Sequence, residues 1–223
     1  MKAVLFDLYG TLIDIRTDEE NDKFWKNVSL NTSQYKKIGQ HNLKKEYLKL
    51  CYKHSIVKEE IDLLDVFKEL YGVDDEKAKE IAVVFRGLST KYIRLYKGVK
   101  TLLKTLKEND FKIYLLSNAQ EVFTLPELDK LGLTEFFDGI AISSQYGVKK
   151  PNKEFYKRAI KDFNIEGDIM MVGNDYECDV KPALELGLKS VFIETNLTPK
   201  NNIKEKLKGF NHKKVLKAIL SKF

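Results

Sequence analysis

An apolar run, Ala3-Val4-Leu5-Phe6, ends at Asp7-Leu8-Tyr9-Gly10-Thr11-Leu12, and this pattern reads as a buried strand that delivers a carboxylate to the end of a sheet. Sites in parallel α/β sheets open beyond the carboxyl ends of the strands, so Asp7 is a candidate nucleophile, with Gly10 letting the backbone turn sharply away. Three further groups are spaced in the same way. Ser117-Asn118 follows the apolar run 112–116, Lys149-Lys150-Pro151 lies on a loop before a helix, and Gly173-Asn174-Asp175 with Asp179 follows the run 169–172. Each has a bland role available to it. Isolated hydroxyls at turns commonly satisfy nearby backbone groups, a lysine pair in a loop is ordinarily solvated, and the 174–179 acids could cap the helix that opens at Val180. Brought to one crevice, the same residues form a nucleophile, hydroxyl donors, a cation and hard oxygen ligands.

The elements that would carry them fall into two kinds. Strands are expected at 3–6, 112–116, 139–142, 169–172 and 190–193, alternating with helices near 99–107, 125–131, 153–163 and 180–186 and followed by a basic terminal helix. This alternation argues an α/β fold, a doubly wound parallel, Rossmann-like sheet. Between about Thr17 and Tyr96 the apolar residues instead keep helical spacing, as in Leu43, Tyr47, Leu50 and Cys51, and no strand pattern intervenes. The expected organisation is a core of residues 1–15 and 97–223 with a small all-helical domain, 16–96, inserted into it. Its joints fall near Asp14-Ile15-Arg16 and Tyr96-Lys97-Gly98.

Composition narrows the function classes. The 223 residues are ample for a buried core, and 43% hydrophobic with 32% charged residues is ordinary for a soluble globular protein. No apolar run approaches the ~18 residues of a membrane span, and Met1-Lys2 leads straight into the first strand, so a cytoplasmic protein without membrane contact is expected. Cys51 and Cys178 lack the spacing of a disulfide framework or zinc site. The net charge of +6 is carried almost wholly by lysine, with arginine only at 16, 86, 94 and 158. Base-edge readout and bidentate phosphate clamps favour arginine, so a small anionic substrate is expected rather than nucleic acid.

Phe6-Asp7-Leu8-Tyr9-Gly10-Thr11-Leu12, Leu116-Ser117-Asn118, Lys150-Pro151 and Val172-Gly173-Asn174-Asp175-x3-Asp179 resemble the four ordered motifs of the haloacid dehalogenase superfamily. The resemblance spans residues 1 to about 195, and the helical insert stands where that superfamily has its cap domain. It implies that Asp7 forms a covalent aspartyl intermediate, that Thr11 and Ser117 donate to the transferred group with Asn118 beside them, and that Lys150, placed directly before a proline, offsets developing charge. Lys149 is the competing lysine. It also implies Mg2+ as cofactor, held by Asp7, the carbonyl of Tyr9 and side-chain oxygens of the last motif, either Asn174 or Asp175 together with Asp179, which could instead orient Lys150.

Two positions depart from the pattern. Many members have an acid directly after the glycine of the last motif, where this chain has Asn174. Phosphatases of the superfamily usually carry a general acid two residues after the nucleophile, and here that residue is Tyr9. Loss of such an acid typically removes about 10²–10⁴-fold in rate. The Asp7 to Leu12 form and Tyr156 resemble the 2-haloacid dehalogenase branch, yet that branch has an arginine early in its cap and lacks the metal-binding acid that Asp175 would supply; His41 lies near the expected arginine place. The leading expectation is a magnesium-dependent phosphatase of small phosphorylated metabolites. The alternatives are a metal-independent 2-haloacid dehalogenase and a barely catalytic protein that binds phosphorylated metabolites. Arg16, Trp25, His41 and His54 are candidate cap residues with no assigned chemistry, and the assembly is expected to be a monomer or a homodimer.

Overall fold

The computed structural model describes residues 1–223. Its centre is a six-stranded sheet in which every pairing is parallel, made of β1 (Lys2–Phe6), β4 (Phe111–Ser117), β5 (Gly139–Ile142), β6 (Asp168–Gly173), β7 (Lys189–Glu194) and β8 (Leu207–Lys208). The spatial order is β5-β4-β1-β6-β7-β8. The chain therefore builds outward from β1 in both directions, and the crevice at such a switch point opens at the carboxyl end of β1, just where Asp7 follows Phe6.

Pleating sorts the strand side chains into two layers. Val4 and Phe6 of β1, Ile113 and Leu115 of β4, and Met170 and Val172 of β6 face one apolar cluster, which α5 (Val99–Glu108) and α10 (His212–Leu220) complete with Val99, Leu102, Leu103, Leu106, Val215 and Ile219. Ala3, Leu5, Tyr114, Leu116 and Met171 face the other side, where Phe155, Tyr156 and Ala159 of α8 (Lys153–Asp162) and Ala183 of α9 (Lys181–Glu185) cover them. Strands buried on both faces read as continuous apolar runs, which is why they were legible in the sequence.

Between β1 and α5 the chain forms α1 (Asp22–Asn31), α2 (Gln40–Val57), α3 (Leu63–Tyr71) and α4 (Asp75–Ser89), packed around their own cluster of Phe24, Trp25, Leu43, Phe67, Ile81 and Phe85. The expectation of an insert without strands is corrected here. Ile13–Thr17 (β2) and Thr90–Leu95 (β3) pair as an antiparallel ribbon at both joints. Thr90–Leu95 is mostly exposed or half-buried, so its alternating polar sequence carries little apolar signal.

Two core elements reach into the insert. The helix α6 (Glu121–Leu131) places Phe123 in the insert's apolar cluster, where it stacks on Phe85 at 6.3 Å between ring centroids. Glu60, in the α2–α3 connection, is clamped by three core groups: its amide donates to the Gly147 carbonyl at 3.2 Å, while its carboxylate accepts from Gln120 at 3.0 Å and pairs with Lys149 at 3.1 Å.

Candidate active site

The loop that carries Asp7 is built by the sheet. The amide of Asp7 donates to the Val172 carbonyl at 2.9 Å, extending the β1–β6 ladder by one residue, and the amides of Thr11, Leu12 and Ile13 then all turn back onto the Leu8 carbonyl. Leu8, Leu12 and Ile13 are fully buried, so apolar packing holds the loop while its polar residues face the crevice. Gly10 has φ +88, and a Cβ there would lie 2.3 Å from Asn174 Nδ2. Both facts require glycine.

Asp7 is buried, with its Oδ1 accepting from Lys150 Nζ at 2.8 Å and its Oδ2 accepting from Thr11 Oγ1 at 2.9 Å. Lys150 is 2% exposed, and its ammonium spends all three protons, donating to Asp7 Oδ1, to Asp179 Oδ1 at 2.7 Å and to the Leu116 carbonyl at 2.8 Å. Burial alone would lower the pKa of Lys150, but the charges of Asp179 and Asp7 outweigh it and hold the amine above its ordinary value. Asn118 fixes the backbone beneath this lysine, donating through Nδ2 to the Lys150 carbonyl and accepting its amide through Oδ1, each at 2.8 Å. Lys149 points instead to Glu60, so the structure brings Lys150 and not its neighbour to Asp7.

The last motif is equally divided in labour. Asp179 accepts from Lys150 through Oδ1 and from the Asp175 amide at 2.9 Å through Oδ2. Burial, and then the nearby Asp7 carboxylate, push its pKa up against the opposing pull of Lys150. A Cβ at Gly173 would lie 2.2 Å from Asp179 Oδ2, so this carboxylate packs directly on the end of β6. Asp175 borders the crevice, and its Oδ1 accepts from the amides of Glu177 and Cys178, both at 3.0 Å, capping the wide turn Tyr176–Val180. Tyr156 anchors that turn from α8, its hydroxyl donating to the carbonyls of Cys178 at 2.8 Å and Asp179 at 3.0 Å.

No three His, Cys, Asp or Glu side chains converge as a metal-holding cluster. The oxygens that do face one another are Asp7 Oδ2, the Tyr9 carbonyl and the side-chain amide of Asn174. One carboxylate with neutral oxygens fits Mg2+, which keeps several waters and takes its remaining ligands from phosphate. Of the two residues that could take the metal, Asn174 is therefore the one placed beside Asp7, and both oxygens of Asp179 are engaged elsewhere.

Ser117, at the end of β4, has a buried hydroxyl with no hydrogen-bond partner in the protein. Such a group costs about 1–3 kcal/mol when left unpaired. Tyr9 presents its carbonyl to the site and its ring elsewhere. Its hydroxyl donates to Glu127 Oε2 at 2.5 Å and lies 3.2 Å from Thr124 Oγ1 on α6, and Arg86 of α4 pairs with the same Glu127 at 2.6 Å. Burial, and then the Glu127 charge, raise the pKa of the Tyr9 hydroxyl.

Above these groups lies a cavity of about 180 Å³ bounded by Asp7, Tyr9, Asn118, Lys150, Asn174, Asp175, Cys178, Asp179, Leu197 and Pro199. Leu197 and Pro199 arrive on the loop after β7, which Thr195 ties to the Gly10 carbonyl at 2.7 Å. Their part in the site, and the pairing of Glu127 and Arg86 with the Tyr9 ring beside it, left no local signal in the sequence because tertiary contact alone creates them. Arg16, Trp25, His41 and His54 line no part of this cavity; Trp25 belongs to the insert's core and His54 pairs with Glu69 at 3.0 Å.

A model of the haloacid dehalogenase-like hydrolase family matches residues 1–187, a span that contains Asp7, Ser117, Lys150 and Asp179. The glyceraldehyde 3-phosphate phosphatase of Methanothermobacter thermautotrophicus is 25% identical over 207 residues, covering 89% of this chain and 88% of that protein. The enzyme of the same name from Pyrococcus abyssi is 26% identical over 113 residues, and there the match spans about half the relative's length, 48%, and 50% of this chain. Among solved structures, the fold is similar to that of a HAD phosphatase from Thermococcus onnurineus, with TM-score 0.62 and 19% identity over 98% of each chain. It is also similar to that of 2-haloacid dehalogenase from Pseudomonas syringae pv. Tomato DC3000, with TM-score 0.65 and 15% identity over 100% of this chain and 99% of that one. Likeness at such identities concerns the fold, while the family match runs through each of the four strand-end and loop groups gathered around Asp7. On that match the chain belongs to the haloacid dehalogenase-like hydrolases.

Proposed function

We propose that this chain is a magnesium-dependent phosphatase of small phosphorylated metabolites, acting through a covalent aspartyl-phosphate on Asp7. The observation that carries this reading is Lys150, a buried ammonium held between Asp7 and Asp179 at the floor of a small polar cavity. In this reading residues 1–15 and 97–223 are the catalytic core and 16–96 the cap.

The Asp7 carboxylate attacks phosphorus, the bond to the leaving oxygen breaks, and that oxygen departs with the bonding pair. Lys150 offsets the charge of the nucleophile and the transferred group, and Ser117 has an unspent hydroxyl to donate to a phosphoryl oxygen. Thr11 orients the carboxylate from its other side. Water then attacks the same phosphorus, breaking its bond to Asp7 and releasing phosphate, with the water proton passing to solvent. Asp7, the Tyr9 carbonyl and the Asn174 side-chain oxygen would hold Mg2+, which when bound neutralises phosphoryl charge and aligns the phosphate for attack.

With the Tyr9 hydroxyl committed to Glu127, no acid stands two residues after the nucleophile to protonate the leaving oxygen. Acyl and aryl phosphates are therefore expected to turn over faster than alkyl phosphates. Relatives named glyceraldehyde 3-phosphate phosphatase make three-carbon phosphates a reasonable part of the substrate panel. The test is release of phosphate from an aryl phosphate and from sugar phosphates, with Mg2+ and with chelator. Mg2+-dependent release, faster from the aryl ester, supports the reading, and equal or faster release from sugar phosphates counts against the leaving-group argument.

The dehalogenase reading rests on Tyr9, since a leaving halide needs no proton. Against it, no arginine lines the cavity, and Arg86 is paired with Glu127. Chelator-insensitive chloride release from 2-chloropropionate would favour it.

A further inference from the structure

Asn174 is buried where the ends of β1 and β6 meet, and its amide can turn either face toward Asp7. With Oδ1 inward, that oxygen lies 3.2 Å from Thr11 Oγ1 and faces the Tyr9 carbonyl and Asp7 Oδ2, neither of which has a proton to give. With the amide reversed, its nitrogen donates to Tyr9 O, Thr11 Oγ1 and Asp7 Oδ2, each at 3.2 Å. The terminal torsion of asparagine is broad and roughly two-fold, so the two faces exchange by rotation about one bond with the backbone still.

We propose that the Asn174 amide is an internal stand-in for the cation. In the resting protein its NH2 group bridges Asp7 Oδ2 and the Tyr9 carbonyl, and a divalent cation enters by displacing that group and turning Oδ1 inward as a neutral ligand. This rests on the magnesium reading above and concerns how tightly the ion is held. An aspartate at this position would have no proton for either oxygen and would set a second negative charge beside Asp7. The native asparagine instead satisfies the site without metal and binds the ion weakly, because Mg2+ affinity rises with the charge of its ligands. Asp175 takes no part, since its side chain caps the following turn.

The test is thermal melting of the full chain against MgCl2 without substrate, for the native protein, Asn174→Asp and Asp175→Asn. In chelator, Asn174→Asp is expected to melt below the native chain. On titration it is expected to respond at Mg2+ concentrations lower by about tenfold or more, while Asp175→Asn follows the native response. An Asn174→Asp midpoint equal to the native one, or loss of the response in Asp175→Asn, would overturn the proposal. A second readout needs no variant: the side-chain NH2 resonances of Asn174 should shift as Mg2+ stabilises the native chain, and resonances that stay fixed contradict the exchange. Because no substrate is present, failure of the phosphatase reading would appear as absent phosphate release with these binding results unchanged.

Discussion

Tyr9 shows how one side chain can be diverted from the chemistry its position suggests. Its carbonyl stays with Asp7 and Asn174, but its ring leaves the site and joins Arg86 and Glu127 in a buried contact between α4 and α6, with the guanidinium 5.7 Å from the ring centroid. Tyr9→Phe removes one hydrogen bond to a charged acceptor and touches no reacting atom. It is expected to lower stability by about 1–3 kcal/mol in chemical denaturation while keeping kcat within about threefold. A hundredfold loss of kcat would instead assign the hydroxyl a role as acid. At this scale the sequence was legible where a polar residue follows a buried apolar run, as Asp7 and Ser117 do, or stands directly before a proline on a loop, as Lys150 does. It was silent on partners such as Glu127, whose position in a helix of mixed polarity marks it as no different from other surface acids.

Among the elements, the buried strands announced themselves because each is apolar on both faces, and the helices α3, α5 and α8 because one face is apolar at helical spacing. The ribbon β2–β3 escaped because two short strands with polar edges have no such pattern. The ribbon's anchor is Asp14, a buried carboxylate that accepts from Arg94 at 2.7 and 2.9 Å and from Asn196 at 2.9 Å. Burial pushes the pKa of Asp14 up, but hydrogen bonds from Asn196 and Arg94 and the charge of Arg94 outweigh it and hold the carboxyl below its ordinary value. A depressed carboxylate adds stability that is present above the unfolded-state pKa, near 4, and is lost as pH falls through the folded-state value beneath it. Asp14→Asn is therefore expected to cost about 1 kcal/mol at pH 7, an amount limited by the exposure of Arg94, with the gap to the native chain closing below about pH 4. Melting curves of both proteins between acid and neutral pH check this, and a gap independent of pH would contradict it.

For the molecule as a whole, the sheet fixes where chemistry can occur and the insert decides what surrounds it. β1 carries Asp7, the proposed nucleophile, out at the switch point, β4 and β6 flank it with Ser117 and with Asn174 and Asp179, and the 147–152 loop brings Lys150 in from the side. The insert docks on that same loop through Glu60 and Lys149 and on α6 through Phe123, so its position is tied to the segment that holds Lys150 against Asp7. No helix of the molecule is long and apolar enough to cross a membrane. The central claim is that Asp7 becomes covalently phosphorylated during turnover. Mass spectrometry of the Asp7-containing peptide, acid-quenched during turnover of an aryl phosphate with Mg2+, tests it directly with Asp7→Asn as the blank. One phosphoryl group on Asp7 in the native protein, absent from the variant along with phosphate release, is the expected result; an unmodified Asp7 peptide in protein that is turning over, or phosphate release that survives in Asp7→Asn, would contradict the account.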